Sequence, residues 1–214
     1  MTLFHRRSCA RRVRLHSLSV AVLAFAPAGC FSASGSPEVA RTRPDVTPRP
    51  IGVGPGYHAE PAAPRVLRAE PIGALTCTRS RANRYGVHIE VFARRNVVIV
   101  PAGIGVAAPL TRSFGSVVPR GCTYPLRTLT PTGIVEVRSE LALTLGDLFR
   151  IWGQPFGRKR LAGFRSTRAV LAFVGGRRWR GDPTTIPMKR HAQIVLEIGG
   201  YVPPHPRFLF PKGL

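Results

Sequence analysis

The stretch Val87 to Val106, Val-His-Ile-Glu-Val-Phe-Ala-Arg-Arg-Asn-Val-Val-Ile-Val-Pro-Ala-Gly-Ile-Gly-Val, constrains the fold more than any other part of this chain. Val87, Ile89 and Val91 alternate with His88, Glu90 and Phe92, which is the period of two that a strand shows when its faces differ. Arg94, Arg95 and Asn96 supply a polar turn. The apolar run Val97 to Val100 then returns, until Pro101 and the glycines at 103 and 105 end it. A β-hairpin is expected here.

Further along, Tyr124 to Thr128 and Ile134 to Arg138 are expected as strands joined through Pro131-Thr132-Gly133. Ala169 to Val174 should be a strand that turns at Gly175-Gly176 and returns through Arg177 to Arg180, and Ile194 to Ile198 a short apolar strand suited to the middle of a sheet. Pro109 to Gly121 and the basic run Arg158 to Arg168 lack a clear period and are expected as loops. One helix is expected, at about 144–153. Thr144 caps it, Asp147 reaches back from three residues on, and Leu145, Leu148, Phe149 and Trp152 recur at helical spacing, with Trp152 as a core anchor. Gly153 suits a left-handed cap and Pro155 prevents continuation. The tail, with prolines at 203, 204, 206 and 211, should be extended and pinned by Phe208 and Phe210. The fold class expected is mainly β, a β-sandwich or an open barrel-like sheet of hairpins, with one short α-helix.

The N-terminal part differs in kind. Arg6, Arg7, Arg11, Arg12 and Arg14 precede the apolar segment Leu18 to Ala26, which is too short for a comfortable membrane span, so residues 1–29 read as an export signal. Its end, Ala26-Pro27-Ala28-Gly29-Cys30, resembles the lipobox of bacterial lipoproteins, which implies a lipid on Cys30 and a mature protein anchored at the outer face of the cell membrane. Pro27 stands where that pattern has a bulky aliphatic residue, and cleavage after Ala28 to give a secreted protein is the alternative. Residues 30–74, rich in proline and mixed with Ser, Gly, Ala and Arg, have the composition of an extended disordered tether, with His58 solvated. Residues 75–214 then form a single β-rich domain outside the cytoplasm.

The formal net charge is +22, carried almost wholly by arginine, since lysine occurs only at 159, 189 and 212. Such a charge favours anionic lipid or cell-wall polymer as a partner. Nucleic acid is not expected, because the basic residues are spread over loops without interleaved aromatics and export removes that partner. Of the four cysteines, Cys9 leaves with the signal and Cys30 would carry lipid, so Cys77 and Cys122 remain as a pair in an oxidising compartment. A disulfide between them is expected; two buried thiols are the alternative.

Several stretches together resemble a family of exported bacterial proteins without an established activity. They are His88 to Phe92, Val100-Pro-Ala-Gly-Ile-Gly105, Cys122 with Tyr124 to Thr128, Gly133 to Val137, Thr144-Leu-Gly-Asp-Leu-Phe-Arg-Ile-Trp-Gly-Gln-Pro155, and Gly181-Asp-Pro183 with Ile186-Pro187. Many members carry a His-x-His pair in the first strand and a Leu-His-Thr-His-Asp run after the second cysteine, which looks like a ligand set for copper or zinc. Here Gly86 stands at the first histidine, His88 is kept, and Leu126-Arg127-Thr128-Leu129-Thr130 replaces the histidine-rich run. The resemblance therefore implies a retained scaffold with the metal capacity lost, and neither a metal ligand nor a cofactor is assigned.

His88 and Glu90 share a strand face and, with Arg127, form the candidate polar site. Their bland alternative is a partly buried hydrogen-bonded pair. There is no Gly-x-Ser-x-Gly elbow, His-Glu-x-x-His motif or phosphate-binding glycine loop, and the carboxylates from Leu75 onward are not paired in sequence, so no catalytic residue is assigned. His191 is expected at a turn or strand entry and His205, between prolines, in solvent. The functional expectation is a lipid-anchored extracytoplasmic binding or structural domain without catalytic activity. A metal-handling domain for copper or zinc is the first alternative. A cell-wall hydrolase built on His88 and Glu90 is the second.

Overall fold

The computed structural model describes residues 63–214. The predicted signal, Cys30, His58 and most of the predicted tether lie outside the described residues. In chain order the rest forms a helical turn α1 (Pro64–Leu67), the strands β1 (Arg84–Ala93) and β2 (Asn96–Val98), β3 (Leu110–Ser113) and β4 (Ser116–Pro119), β5 (Leu126–Arg127) and β6 (Ile134–Arg138), and the helix α2 (Leu145–Trp152). Then come the short strands β7 (Phe156–Gly157), β8 (Arg160–Leu161) and β9 (Phe164–Arg165), the pair β10 (Leu171–Val174) and β11 (Arg177–Trp179), a 3₁₀ turn at Pro183–Thr185, and β12 (Gln193–Ile198).

The protein is mainly β, built on an open sheet rather than a closed barrel. Its strand order is β11-β10-β12-β1-β6-β5, with β2 also beside β1. The predicted hairpin turns at Arg94 and Arg95, whose φ values of 50° and 68° are the positive pair that a tight two-residue turn between twisted strands requires. β1 is long enough to use one edge twice: Arg84 to His88 pair with β6 and Val91 to Ala93 with β2. Its other edge pairs in parallel with β12, His88 opposite Gln193 and Phe92 opposite Glu197. The centre of the sheet therefore joins strands from opposite ends of the domain.

Val87, Ile89, Val91, Val135, Val137, Ile194 and Leu196 form one buried face of this sheet. Leu145, Leu148, Phe149, Ile151 and Trp152 of α2 pack in the same core, Trp152 at 1% exposure, because their spacing puts them on one helical stripe. The helix begins and ends as expected. Thr144 and Asp147 form a reciprocal capping box, and Gly153 closes the helix in the left-handed conformation with φ 74°. Asp147 also holds Arg150.

The other sheet face is buried as well, and an extended C-terminal strap buries it. Phe208 stacks on the His88 ring with centroids 3.7 Å apart, and Phe210 stacks on His191 at 4.7 Å. Phe92, Phe173 and Val195 form a second apolar cluster on this face, with Val202 packed against it. Every residue of β1 from Gly86 to Ala93 is buried. This is why the alternation seen in the sequence does not end in a solvated face.

Three expectations are corrected. The predicted loop Pro109 to Gly121 contains the hairpin β3–β4, turned at Phe114 and Gly115 with φ 47° and 77°. β3 is largely exposed and β4 fully buries only Val117, so selection for an apolar alternation is weak there. The predicted loop Arg158 to Arg168 contains β8 and β9, which complete a meander begun by β7 just before it; these two-residue strands are too short to show a period, although Leu161 is fully buried. The segment before Leu75 belongs to the folded body in part: Val66 is fully buried in the main core, and Ala63 and Ile72 pack against it. Tyr124 donates its hydroxyl hydrogen to the Glu70 carbonyl and so ties that segment down. A single apolar side chain on one helical turn leaves no periodic signal among the surrounding prolines and arginines.

Cys77 and Cys122 are joined in a disulfide, with Cα atoms 5.5 Å apart. Thr78 and Thr123, the next residue on each side, exchange two backbone hydrogen bonds of 3.0 Å. The bridge thus anchors the segment that enters β1 to the segment that enters β5.

Candidate functional site

The candidate polar site divides into two places. His88 and Glu90 meet beneath the strap, where strand alternation turns both onto the strap-covered face. His88 is 1% exposed; its Nδ1 lies 2.7 Å from Gln193 Oε1 and its Nε2 lies 2.9 Å from the Thr132 carbonyl oxygen. The Glu90 carboxylate lies 4.0 Å from His88 Nδ1 and 2.9 Å from His205 Nδ1. Burial lowers the His88 pKa, against the raising effect of Gln193, Glu90 and the Thr132 carbonyl.

A neutral imidazole has one N–H, so it cannot donate to two oxygens. With Nε2–H on the Thr132 carbonyl, Nδ1 needs a donor, which Gln193 supplies when its amide turns over. That rotation also engages the Gln193 Nε2, a buried donor otherwise without a partner. The uncharged tautomer is thereby held by both ring nitrogens and stacked against Phe208 on one face. Both nitrogens being occupied, the ring has no lone pair to offer a substrate or a metal ion.

His205 is corrected from a solvated residue to the strap's polar contact with the sheet, bonded to both Glu90 oxygens at 2.9 Å and 3.0 Å. No spacing rule links positions so far apart in sequence. Gln193 went unremarked for a similar reason: its polarity serves a partner on a neighbouring strand. His191 is at a turn before β12, with φ 58°, as expected, and its Nε2 lies 2.6 Å from the Leu214 carbonyl oxygen.

Arg127 does not join His88 and Glu90. On β5 it faces Glu136 across the ladder, with Nε donating to Oε2 at 2.8 Å and Nη2 at 2.6 Å. It lines a separate cleft of about 260 Å³ with Thr78, Arg79, Ser80, Arg84 and Thr123, which stands at the disulfide end of the sheet. Arg84 is half-buried; its Nη1 donates to the carbonyls of Pro125 and Glu136 and its Nη2 to Thr123 Oγ1 and the Tyr124 carbonyl. Burial, with Arg127 next, pushes the Arg84 pKa down to about 10. No local pattern separates these arginines from the rest, because arginine is spread along the whole chain.

Among the described residues, no group of three or more His, Cys, Asp or Glu side chains is arranged to hold a metal ion. Among the same residues, no helix is long and apolar enough to cross a membrane. Comparison of the chain with known protein families, curated proteins and solved structures finds no match.

Proposed function

We propose that this protein is a non-catalytic binding or structural domain held at the outer face of the cell membrane by a lipid on Cys30, with residues 30 to about 62 as its tether. The likeness of Ala26 to Cys30 to a lipobox supports the anchor, and the paired Cys77 and Cys122 suit an oxidising compartment. The observation that carries the non-catalytic reading is the engagement of His88 and Glu90. Both serve to seat the C-terminal strap, one stacked under Phe208 and the other bonded to His205.

The resemblance to the histidine-bearing exported family belongs to this reading too. A side chain at Gly86 would meet the Phe210 ring at 2.6 Å, so aromatic packing occupies the space that the family's first histidine would need. The scaffold then serves packing and presentation. Two measurements test the proposal together. Metabolic labelling with a radioactive fatty acid should mark the wild type and not Cys30→Ala, and the purified protein should neither carry stoichiometric copper or zinc nor cleave wall fragments. Bound metal lost in His88→Gln, or turnover lost in Glu90→Gln, would establish the metal or hydrolase alternative instead.

A further inference from the structure

We propose that the cleft beside the disulfide is a binding site for the phosphate group of a phosphate ester. The proposal deepens the binding-domain reading and rests on it, by naming what the domain binds.

The lining of the cleft contains Arg79, Arg81, Arg84 and Arg127 and no carboxylate. The four cations are not equivalent. Arg127 is neutralised by Glu136, whereas the partners of Arg84 are three carbonyls and a hydroxyl, so its charge is fixed in place with no carboxylate in contact, Glu136 and Glu140 acting on it only from further off. Arg79 and Arg81 are exposed, and no hydrogen bond or ion pair among the described residues engages them. They are left to close on a ligand.

The hydroxyls sharpen the preference. Thr123 Oγ1 accepts from Arg84 Nη2 at 3.1 Å and from Arg127 Nη1 at 3.5 Å, which uses both of its acceptor positions. Its own hydrogen is left as a donor. Thr78 Oγ1 likewise accepts from Arg138. Ser80 adds a third hydroxyl to the same wall.

The free guanidinium forks of Arg79 and Arg81, with hydroxyl donors from both walls and the fixed charge of Arg84 behind them, match an oxyanion with acceptors in several directions. A planar monovalent carboxylate would satisfy one fork and leave the charge of Arg84 largely uncompensated. At about 260 Å³ the cleft holds one phosphate-bearing moiety, that of a lipid headgroup or of a single polymer unit, rather than a drug-sized ligand. The disulfide fixes the spacing of the two walls: Thr78 to Arg84 follow Cys77, and Thr123 to Arg127 follow Cys122.

The diffuse attraction of a chain with net charge +22 is the competing explanation, and the experiment separates the two. The full chain, in a non-ionic detergent at fixed ionic strength, is titrated calorimetrically with glycerophosphoglycerol, with tri(glycerol phosphate) and with acetate. Saturable one-to-one binding of a phosphate ester, with acetate much weaker, is expected. Arg79→Ser combined with Arg81→Ser should weaken it at least about tenfold, through the loss of charge-assisted hydrogen bonds. Arg177→Ser combined with Arg178→Ser, an equal loss of charge on exposed positions of β11, should leave it within about twofold. Tighter binding of the diester assigns a lipid headgroup as the source, and tighter binding of the oligomer a wall polymer. Absence of saturation, acetate binding as tight as the esters, or equal weakening by both pairs of substitutions overturns the site. Such a failure leaves the metal and turnover measurements untouched, so it is distinguishable from failure of the binding-domain reading itself.

Discussion

At the scale of single residues, burial decides what a titratable side chain does. His88 is held neutral because desolvation outweighs the partners that favour its cation. Its folded pKa lies below the ordinary histidine value of about 6.5, so the unfolded chain binds the extra proton more readily. The contribution of His88 to stability is therefore intact above about pH 6.5 and is lost as the pH falls through its lowered value. Denaturant midpoints measured between pH 7.5 and pH 5 should fall with acidification, and His88→Gln should flatten that dependence. Glu197 is the opposite case. It is fully buried with Oε1 unpartnered, and burial raises its pKa, so its ionised form weighs against the fold as the pH rises through the raised value. Any acid-side slope is measured on top of that countervailing trend, which the histidine substitution leaves in place.

At the scale of elements, the C-terminal strap converts a half-solvated strand into a buried one. Its grip rests on aromatic contact rather than on a ladder of backbone hydrogen bonds. Phe208→Ala should cost about 3 kcal/mol, the lower end of what a buried phenylalanine loses. Gly86→Ala is the complementary change: it adds one carbon where the Phe210 ring already sits at 2.6 Å from the ideal position. Forcing that ring aside should cost about 1–3 kcal/mol. Chemical denaturation of both variants checks the pair, and limited proteolysis should cut the tail of each faster than that of the wild type. An unchanged midpoint in Phe208→Ala would mean that the strap lies on the sheet without stabilising it.

At the scale of the whole molecule, stability depends on tying distant parts of the chain together. The disulfide closes a separation of 45 residues, for which the chain-entropy argument gives about 4 kcal/mol, an upper figure because residual structure in the unfolded chain reduces it. That is a large share of the net stability of a small domain, which is about 5–15 kcal/mol. Reduction should lower the unfolding midpoint markedly, and replacement of Cys77 and Cys122 by serine should reproduce the loss without reductant. Thiol titration of the unfolded, unreduced protein should find neither cysteine free. The phosphate site gives this bridge a second consequence, since loosening it would release one wall of the cleft from the other.

Local chemistry made much of this readable in advance. The capping box of Thr144 and Asp147, the left-handed Gly153, the Gly175-Gly176 turn and the alternation in β1 are written in neighbouring residues, because caps, turns and strand faces are local events. The mainly β class followed from the same kind of reading, and the Cys77–Cys122 pairing from a count of the cysteines left once Cys9 and Cys30 were set aside. What the tertiary structure alone decided is which partner each face and each charge would meet. Nothing within β1 announces that His205 will reach Glu90 or that Phe208 will cover His88. The β3–β4 hairpin and the β7–β9 meander stayed hidden because exposed or two-residue strands need no apolar period. The four arginines of the cleft differ from the others only by where the disulfide and the β5–β6 ladder bring them. Propensity and patterning act over a few residues, whereas a site is set by the packing of segments remote in sequence.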